Sequence, residues 1–277
     1  MKCWTLYLVL PGRFGPLISG LLTLITLTAL QFLLLGEIFW ISAGVFFAVT
    51  LSYLPAVYAY ILGITRNAVL ELRPNLQVTD EDIADITRRM QRPGVKFQIG
   101  WLVSGITLAL LHIKLMGFIP INADGELDFS GNLVKVTIAG TLLTWCMMTT
   151  VISSLIQNGY LIDDLTNHFK QIDIFRKQPW QPLARVAIAS SLALIGSNAI
   201  FPLLFIDSGT QSASKIIPGM ALSIPAVAAM VMVPLATTRR KIAAQKEARL
   251  LSIDQAIAKL PDPKNHAEMQ SLNTLLD

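Results

Sequence analysis

The sequence predicts an all-α integral membrane protein of six transmembrane helices in three hairpins, with short amphipathic helices outside the membrane. Three observations predict it. The chain of 277 residues is 53% hydrophobic but only 14% charged, against roughly 25% charged in soluble domains. From position 14 to 65 one charged residue, Glu37, interrupts the apolar run. Further runs cover about 97–121, 136–162, 186–206 and 216–238, each near the ~20 residues that cross a bilayer core. Finally, basic residues alternate along the chain. Of the 22 Lys and Arg, all but Lys114, Lys135 and Lys215 fall before the first span, between the second and third, between the fourth and fifth, or after the sixth. The positive-inside rule then places both termini in the cytoplasm of a cell with an inner membrane. Anionic headgroups account for the basic balance without a nucleic-acid partner.

Taken in order, Lys2 and the apolar stretch 3–10 are followed by Pro11, Gly12 and Arg13 without a small-residue cleavage site. They predict an interfacial segment with Trp4 and Tyr7 at headgroup level. Cys3 and Cys146 are the only cysteines. They are expected to be far apart and reduced, with Cys3 a buried or interfacial thiol rather than an acylated one. The first hairpin turns at Gly36-Glu37, anchored by Trp40, and Pro55 is expected to bend the second span, which also carries Tyr53, Tyr58 and Tyr60. In the next loop Thr79 with Asp82 forms a capping-box pattern. Ile83, Ile86 and Met90 then share one helix face before Pro93-Gly94 ends the helix. That helix is expected to lie against the membrane or the underside of the bundle.

The third and fourth spans enclose an acidic outer loop, 122–132. The fourth continues into the cytoplasm with Leu165, Phe169 and Ile172 at helical spacing, up to an elbow at Pro179-Trp180-Gln181-Pro182. The fifth and sixth spans are rich in Gly, Ala and Ser, which permits close helix approach, and Pro218, Pro225 and Pro234 punctuate the sixth. Pro225 is the candidate gate kink. Beyond Arg239-Arg240-Lys241, Leu250, Ile253, Ile257 and Leu260 follow a–d spacing. The domain reading is 1–240 for the six-helix membrane domain, including the loop helix at about 79–92. Residues 241–277 form the cytoplasmic C-terminal amphipathic helix and tail.

An internal repeat is also suggested. Gly15-Pro16-Leu17-Ile18-Ser19-Gly20 resembles Gly100-Trp101-Leu102-Val103-Ser104-Gly105, each after a Pro-Gly and a basic–Phe pair. In the following spans Ala43-Gly44 and Gly63 match Ala139-Gly140 and Gly159. Parallel repeats of this kind build transport folds.

Ionisable residues within membrane spans are functional candidates by default. Glu37, His112, Lys114 and Lys135 all fall toward the outer face, where they would form a vestibule that binds an anion or gates with pH. Against this stands the plain reading that Lys114 and Lys135 snorkel to headgroups. No aspartate or glutamate lies deep in a span, which argues against proton-driven transport. A potassium-selective Thr-Val-Gly-Tyr-Gly filter is absent.

Neutral polar residues give a candidate polar path: Thr137, Thr141, Thr144, Ser154, Asn158, Ser191 and Asn198. They serve equally as interhelical glue, worth about 0.6–2 kcal/mol each. In the fourth span Thr137, Thr141 and Thr144 are read on one face of the outer half. Thr150, Ser153, Ser154, Gln157 and Asn158 are read on roughly the opposite face of the inner half, so no continuous stripe is expected. Rhomboid-type Gly-x-Ser-Gly, His-Glu-x-x-His, the phosphate loop and Cys-x-x-Cys are all missing. Asp163 and Asp164 near His168 and Asp173 are read as a solvated helix face rather than a metal or headgroup site.

These readings converge on a homo-oligomeric passive channel or pore for ions or small solutes, without catalytic activity, cofactor or metal. Its expected partners are membrane lipids and copies of itself, with a protein partner at the C-terminal helix. The alternative is a sensory or scaffold protein acting through its cytoplasmic helices.

Overall fold

The computed structural model describes residues 2–35, 42–115, 129, 131–166, 168, 181–200 and 202–203, together with isolated positions between 243 and 255. Among these, every regular element is helical: α1 (Gly15–Leu35), α2 (Ser42–Leu72), α3 (Asp80–Gln91), α4 (Val95–Leu115), α5 (Asn132–Thr166) and α6 (Gln181–Ile200). All but the amphipathic α3 contribute a span long and apolar enough to cross a membrane. The sixth predicted span, Pro225, Glu37 and most of the acidic loop lie outside the described residues.

α1 and α4 have 21 residues each, close to the ~30 Å of a hydrocarbon core at ~1.5 Å per residue. α2 and α5 run to 31 and 35 residues and so project beyond it. Pro55 lies inside α2, which continues through it as one helix.

α1 packs antiparallel on α2, and α4 antiparallel on α5. Gly20 meets Ser52 and Ala56 in the first hairpin, and Gly105 meets Cys146 and Thr149 in the second. The two matched glycines thus perform one job, which supports the repeat. The match proposed for the following spans does not hold in the same way, because Gly44 faces Gln31 of α1 whereas Gly140 faces Phe47 of α2.

The hairpins join through α2 and α5, which run parallel. The buried face of α2 steps through Phe47, Leu51, Leu54, Tyr58, Ile61, Thr65, Ala68 and Leu72. That of α5 steps through Gly140, Thr144, Met147, Val151, Ser154, Asn158 and Leu165. Both follow alternating four- and three-residue steps, the seam of a left-handed coiled coil. Phe47 against Gly140 fixes the register near the start, and Leu72 and Leu165 share a cluster at the far end. α6 packs antiparallel on another side of α2. α2 is therefore the hub: 61% of its most apolar stretch is buried, against 6% for α1 and for α6. The large exposed apolar side chains of α1 and α6 are Leu, Ile and Phe, as expected of surfaces facing lipid or other apolar helices.

At one end of the bundle α3 covers the projecting parts of α2 and α5. Its capping box forms as predicted: the Thr79 hydroxyl accepts from the Asp82 N–H at 3.2 Å, and Asp82 accepts from the Thr79 N–H at 3.0 Å. Ile83 and Met90 are buried with Leu72, Leu76 and Leu165, so the apolar face of α3 is consumed by the bundle underside. An Arg73–Asp80 ion pair fastens its start to the end of α2.

The segment Trp4–Leu8 departs from expectation. It is a 3₁₀ turn docked into this end of the bundle rather than an interfacial segment. Cys3 and Thr5 are fully buried, and the Cys3 N–H donates to the Gln91 carbonyl at 3.2 Å. The Trp4 indole donates to Thr150 at 3.2 Å. Tyr7 and Leu8 at the segment's end remain exposed. The chain then reverses at Gly12, whose φ of 115° suits glycine. The Leu10 N–H bonds Ser19 at 2.7 Å, and at Gly15 a Cβ would strike the Leu10 carbonyl. Docking wins because three backbone or indole donors find partners there that a membrane surface would not fix.

A second compact unit spans Leu235–Asp277. Its described positions near 250–255 are helical, with Leu250, Leu251 and Ile253 exposed.

Candidate functional site

The sequence-derived candidates separate into three places. His112 is half-buried and its ring lies 5.8 Å from that of Trp145. Lys114 and Lys135 are exposed near the end of α4 and the start of α5. Ser191 and Asn198 sit on α6, and the Ser191 hydroxyl is spent on the Ala187 carbonyl at 2.8 Å. The α5 members lie elsewhere, along the seam with α2.

That seam is the most unusual part of the molecule. The switch of polar face along α5 holds only in part: Thr150, Ser153 and Gln157 lie off the positions that carry Thr144, whereas Ser154 and Asn158 join it. Thr141, Thr144, Thr150, Ser154 and Asn158 are all buried. Thr144, Ser154 and Asn158 fall on the one heptad face that meets α2, because a 3.5-residue repeat keeps aligned what a straight 3.6-residue wheel lets drift. Thr137 remains half-exposed and accepts the Thr141 hydroxyl at its carbonyl, 2.8 Å away.

Some buried hydroxyls are satisfied by their own helix: Thr65 donates to the Ile61 carbonyl at 2.8 Å, and Thr150 to the Cys146 carbonyl at 2.7 Å. Four buried polar atoms are not: Thr50 Oγ1, Tyr58 Oη, Thr144 Oγ1 and Asn158 Nδ2 have no hydrogen-bond partner among the described residues. All four belong to α2 and α5, and their residues are at most 5% exposed. The Tyr58 hydroxyl lies beside Cys3 and Ser154 without a well-formed bond to either. The Cys3 thiol is 4.0 Å from the Ser154 hydroxyl and 3.2 Å from that of Thr5. The docked Trp4–Leu8 segment therefore abuts the α3 end of the polar seam.

Between the polar atoms the seam is filled by Phe46, Phe47, Leu51, Leu54, Met147 and Val151. Among the described residues no group of three or more His, Cys, Asp or Glu can hold a metal ion. Asp164 and His168 belong to a local turn: a His168 ring nitrogen lies 3.1 Å from the Asp164 carbonyl.

Sequence reasoning missed Thr50 and gave Tyr58 no role. The signal was present in the unbroken heptad of α2, which puts Tyr58 at a seam position and Thr50 beside one. No family profile, curated protein or solved structure matches this chain.

Proposed function

We propose that the chain is a passive channel or pore for ions or small solutes, assembled from several copies, with both termini cytoplasmic and the α2–α5 seam as its polar route. The observation that carries this reading is the set of unpartnered buried atoms on Thr50, Tyr58, Thr144 and Asn158. Each costs about 1–3 kcal/mol if left dry, and lipid offers no substitute partner. Water or a permeating solute supplying the missing bonds accounts for their retention. The seam also lies between two similar hairpins, where repeat-built transport folds hold their sites.

Passive rather than proton-driven movement is supported by the carboxylates. Among the described residues of the spans, the only Asp or Glu side chains are near the α3 ends of α2 and α5. The orientation is supported by charge: Arg13, Arg66, Arg73, Arg88, Arg89, Arg92, Lys96 and Arg185 gather at the α3 end, with Lys114 and Lys135 at the other. Self-association is supported by the little-buried apolar surfaces of α1 and α6. The test is purified protein in planar bilayers. Thr50→Val with Thr144→Val should abolish current while the oligomer and its thermal stability persist. Silent wild-type protein in every salt and small-solute gradient would refute the reading.

A second reading, a scaffold acting through the C-terminal helix, is favoured by the exposure of Leu250, Leu251 and Ile253. Deleting residues 250–277 separates the two: a scaffold loses its partner, and a channel keeps its conductance.

A further inference from the structure

A cavity of about 460 Å³ runs between α2 and α6, within the roughly 300–1,000 Å³ typical of small-ligand sites. Its walls are mostly apolar, formed by residues such as Val57, Ile64, Ile188 and Leu192, with Tyr60 and Asn67 also lining it. At its deep end Tyr53 is already committed, donating its hydroxyl to the Ala193 carbonyl at 2.9 Å. That end asks for nothing polar. The opposite end, one turn into α6 and one residue before the end of α2, carries two opposite charges. Arg185 bonds Glu71 at 2.6 and 3.3 Å, and the two side chains remain 54% and 44% exposed. By helix position this mouth is at the membrane surface on the α3 side.

We propose that this groove binds a phospholipid with a zwitterionic, ammonium-bearing headgroup of the phosphatidylethanolamine class. An acyl chain fills the apolar slot toward Tyr53, the phosphate bonds the Arg185 guanidinium, and the headgroup ammonium bonds the Glu71 carboxylate. A guanidinium fork matches phosphate geometry, and a carboxylate accepts from an ammonium. Both charges of the headgroup thus meet a complement in one exposed ion pair. An anionic lipid would satisfy Arg185 but press its net negative charge on Glu71, and a neutral diacylglycerol would use neither. The proposal rests on the membrane-spanning arrangement and not on the transport reading, so loss of one leaves the other standing.

The test is the full chain in nanodiscs of equal phosphatidylethanolamine and phosphatidylglycerol, followed by quantification of retained lipid. Wild type should retain phosphatidylethanolamine in preference. Glu71→Gln should remove that preference, about a tenfold change if the lost contact is worth ~1.4 kcal/mol, and Arg185→Gln should lower retention of both lipids. The double exchange Glu71→Arg with Arg185→Glu should restore the preference, because it keeps both charges at the mouth. A photocrosslinking amino acid in place of Ile188 should capture lipid. Equal retention of both lipids by wild type would overturn the proposal, as would a preference unmoved by Glu71→Gln. So would a crosslink from position 188 to residues 216–238 of the same chain, which would mean that the protein fills its own groove.

Discussion

In the first hairpin α1 approaches α2 at Gly20, where an added Cβ would lie 3.3 Å from the Ala56 Cβ and 3.4 Å from the Ser52 carbonyl oxygen. In the second, α4 approaches α5 at Gly105, where it would lie 2.7 Å from the Cys146 Cα, 3.0 Å from its nitrogen and 2.6 Å from the Thr149 hydroxyl. The two corresponding glycines thus sit at two different depths of contact. α1 shares its neighbour α2 with α5 and α6, whereas α4 depends mainly on α5. The Thr149 hydroxyl reaches across that second contact to the Trp101 carbonyl at 3.0 Å. Two hairpins of similar geometry thus differ in role: one contributes the hub helix and the other forms a tightly sealed flank.

The sharpest way to break that comparison is to add one methyl at each glycine. Gly105→Ala should cost about 2–3 kcal/mol, because backbone cannot yield as a side chain can, while Gly20→Ala should cost less than about 1 kcal/mol. Thermal unfolding of the two variants in the same detergent checks this, and equal shifts would erase the distinction between the hairpins.

Next in size is the cap of α3, which lies under both hairpins. Thr79→Ala should cost about 1 kcal/mol in α3 stability, read as faster amide exchange over residues 83–90. Acid should act on the same cap. The Thr79 hydroxyl and N–H hold the Asp82 carboxyl below the usual carboxylate range. Since the folded value is the depressed one, the cap contributes fully above the unfolded value and is lost as pH falls through the folded one. Protection of α3 should therefore fall below about pH 4, and the fall should be smaller in Thr79→Ala, which loses the hydroxyl but keeps the backbone N–H.

Smaller still is Arg185→Gln. Its pair with Glu71 is about half exposed and should contribute less than about 1 kcal/mol to stability. The smallest expected effect on stability is Tyr58→Phe, which removes an unpartnered hydroxyl and should be neutral or slightly stabilising. A loss of several kcal/mol there would mean that the hydroxyl is bonded to another group of the protein, and would remove it from the polar route.

Much of the fold was legible because lipid imposes simple rules. Five spans, the capping box at Thr79 and the outward extension of α5 as far as Thr166 follow from run length, charge placement and cap chemistry. Three things were not legible. The docking of Trp4–Leu8 depends on donors and acceptors such as Gln91 and Thr150, distant in sequence and brought together only by the fold. The polar seam was misread because a straight-helix wheel separates Thr144 from Ser154, whereas α2 and α5 follow a coiled-coil period. The proposed correspondence of Gly20 with Gly105 falls on two close helix approaches. That of Gly44 with Gly140 was misread, because both are small but meet different helices. Of the candidate site, Thr144, Ser154 and Asn158 fall on the seam, whereas Ser191 and Asn198 belong to another helix.

The central claim is that the α2–α5 seam is a polar route and not merely glue. The most direct measurement is current through single copies of the reconstituted assembly, comparing wild type with Thr50→Val/Thr144→Val at matched thermal stability. The account predicts discrete conductance in wild type and none in the variant. Conductance unchanged by the substitutions, or a variant whose assembly falls apart, would contradict it and return the seam to a purely structural role.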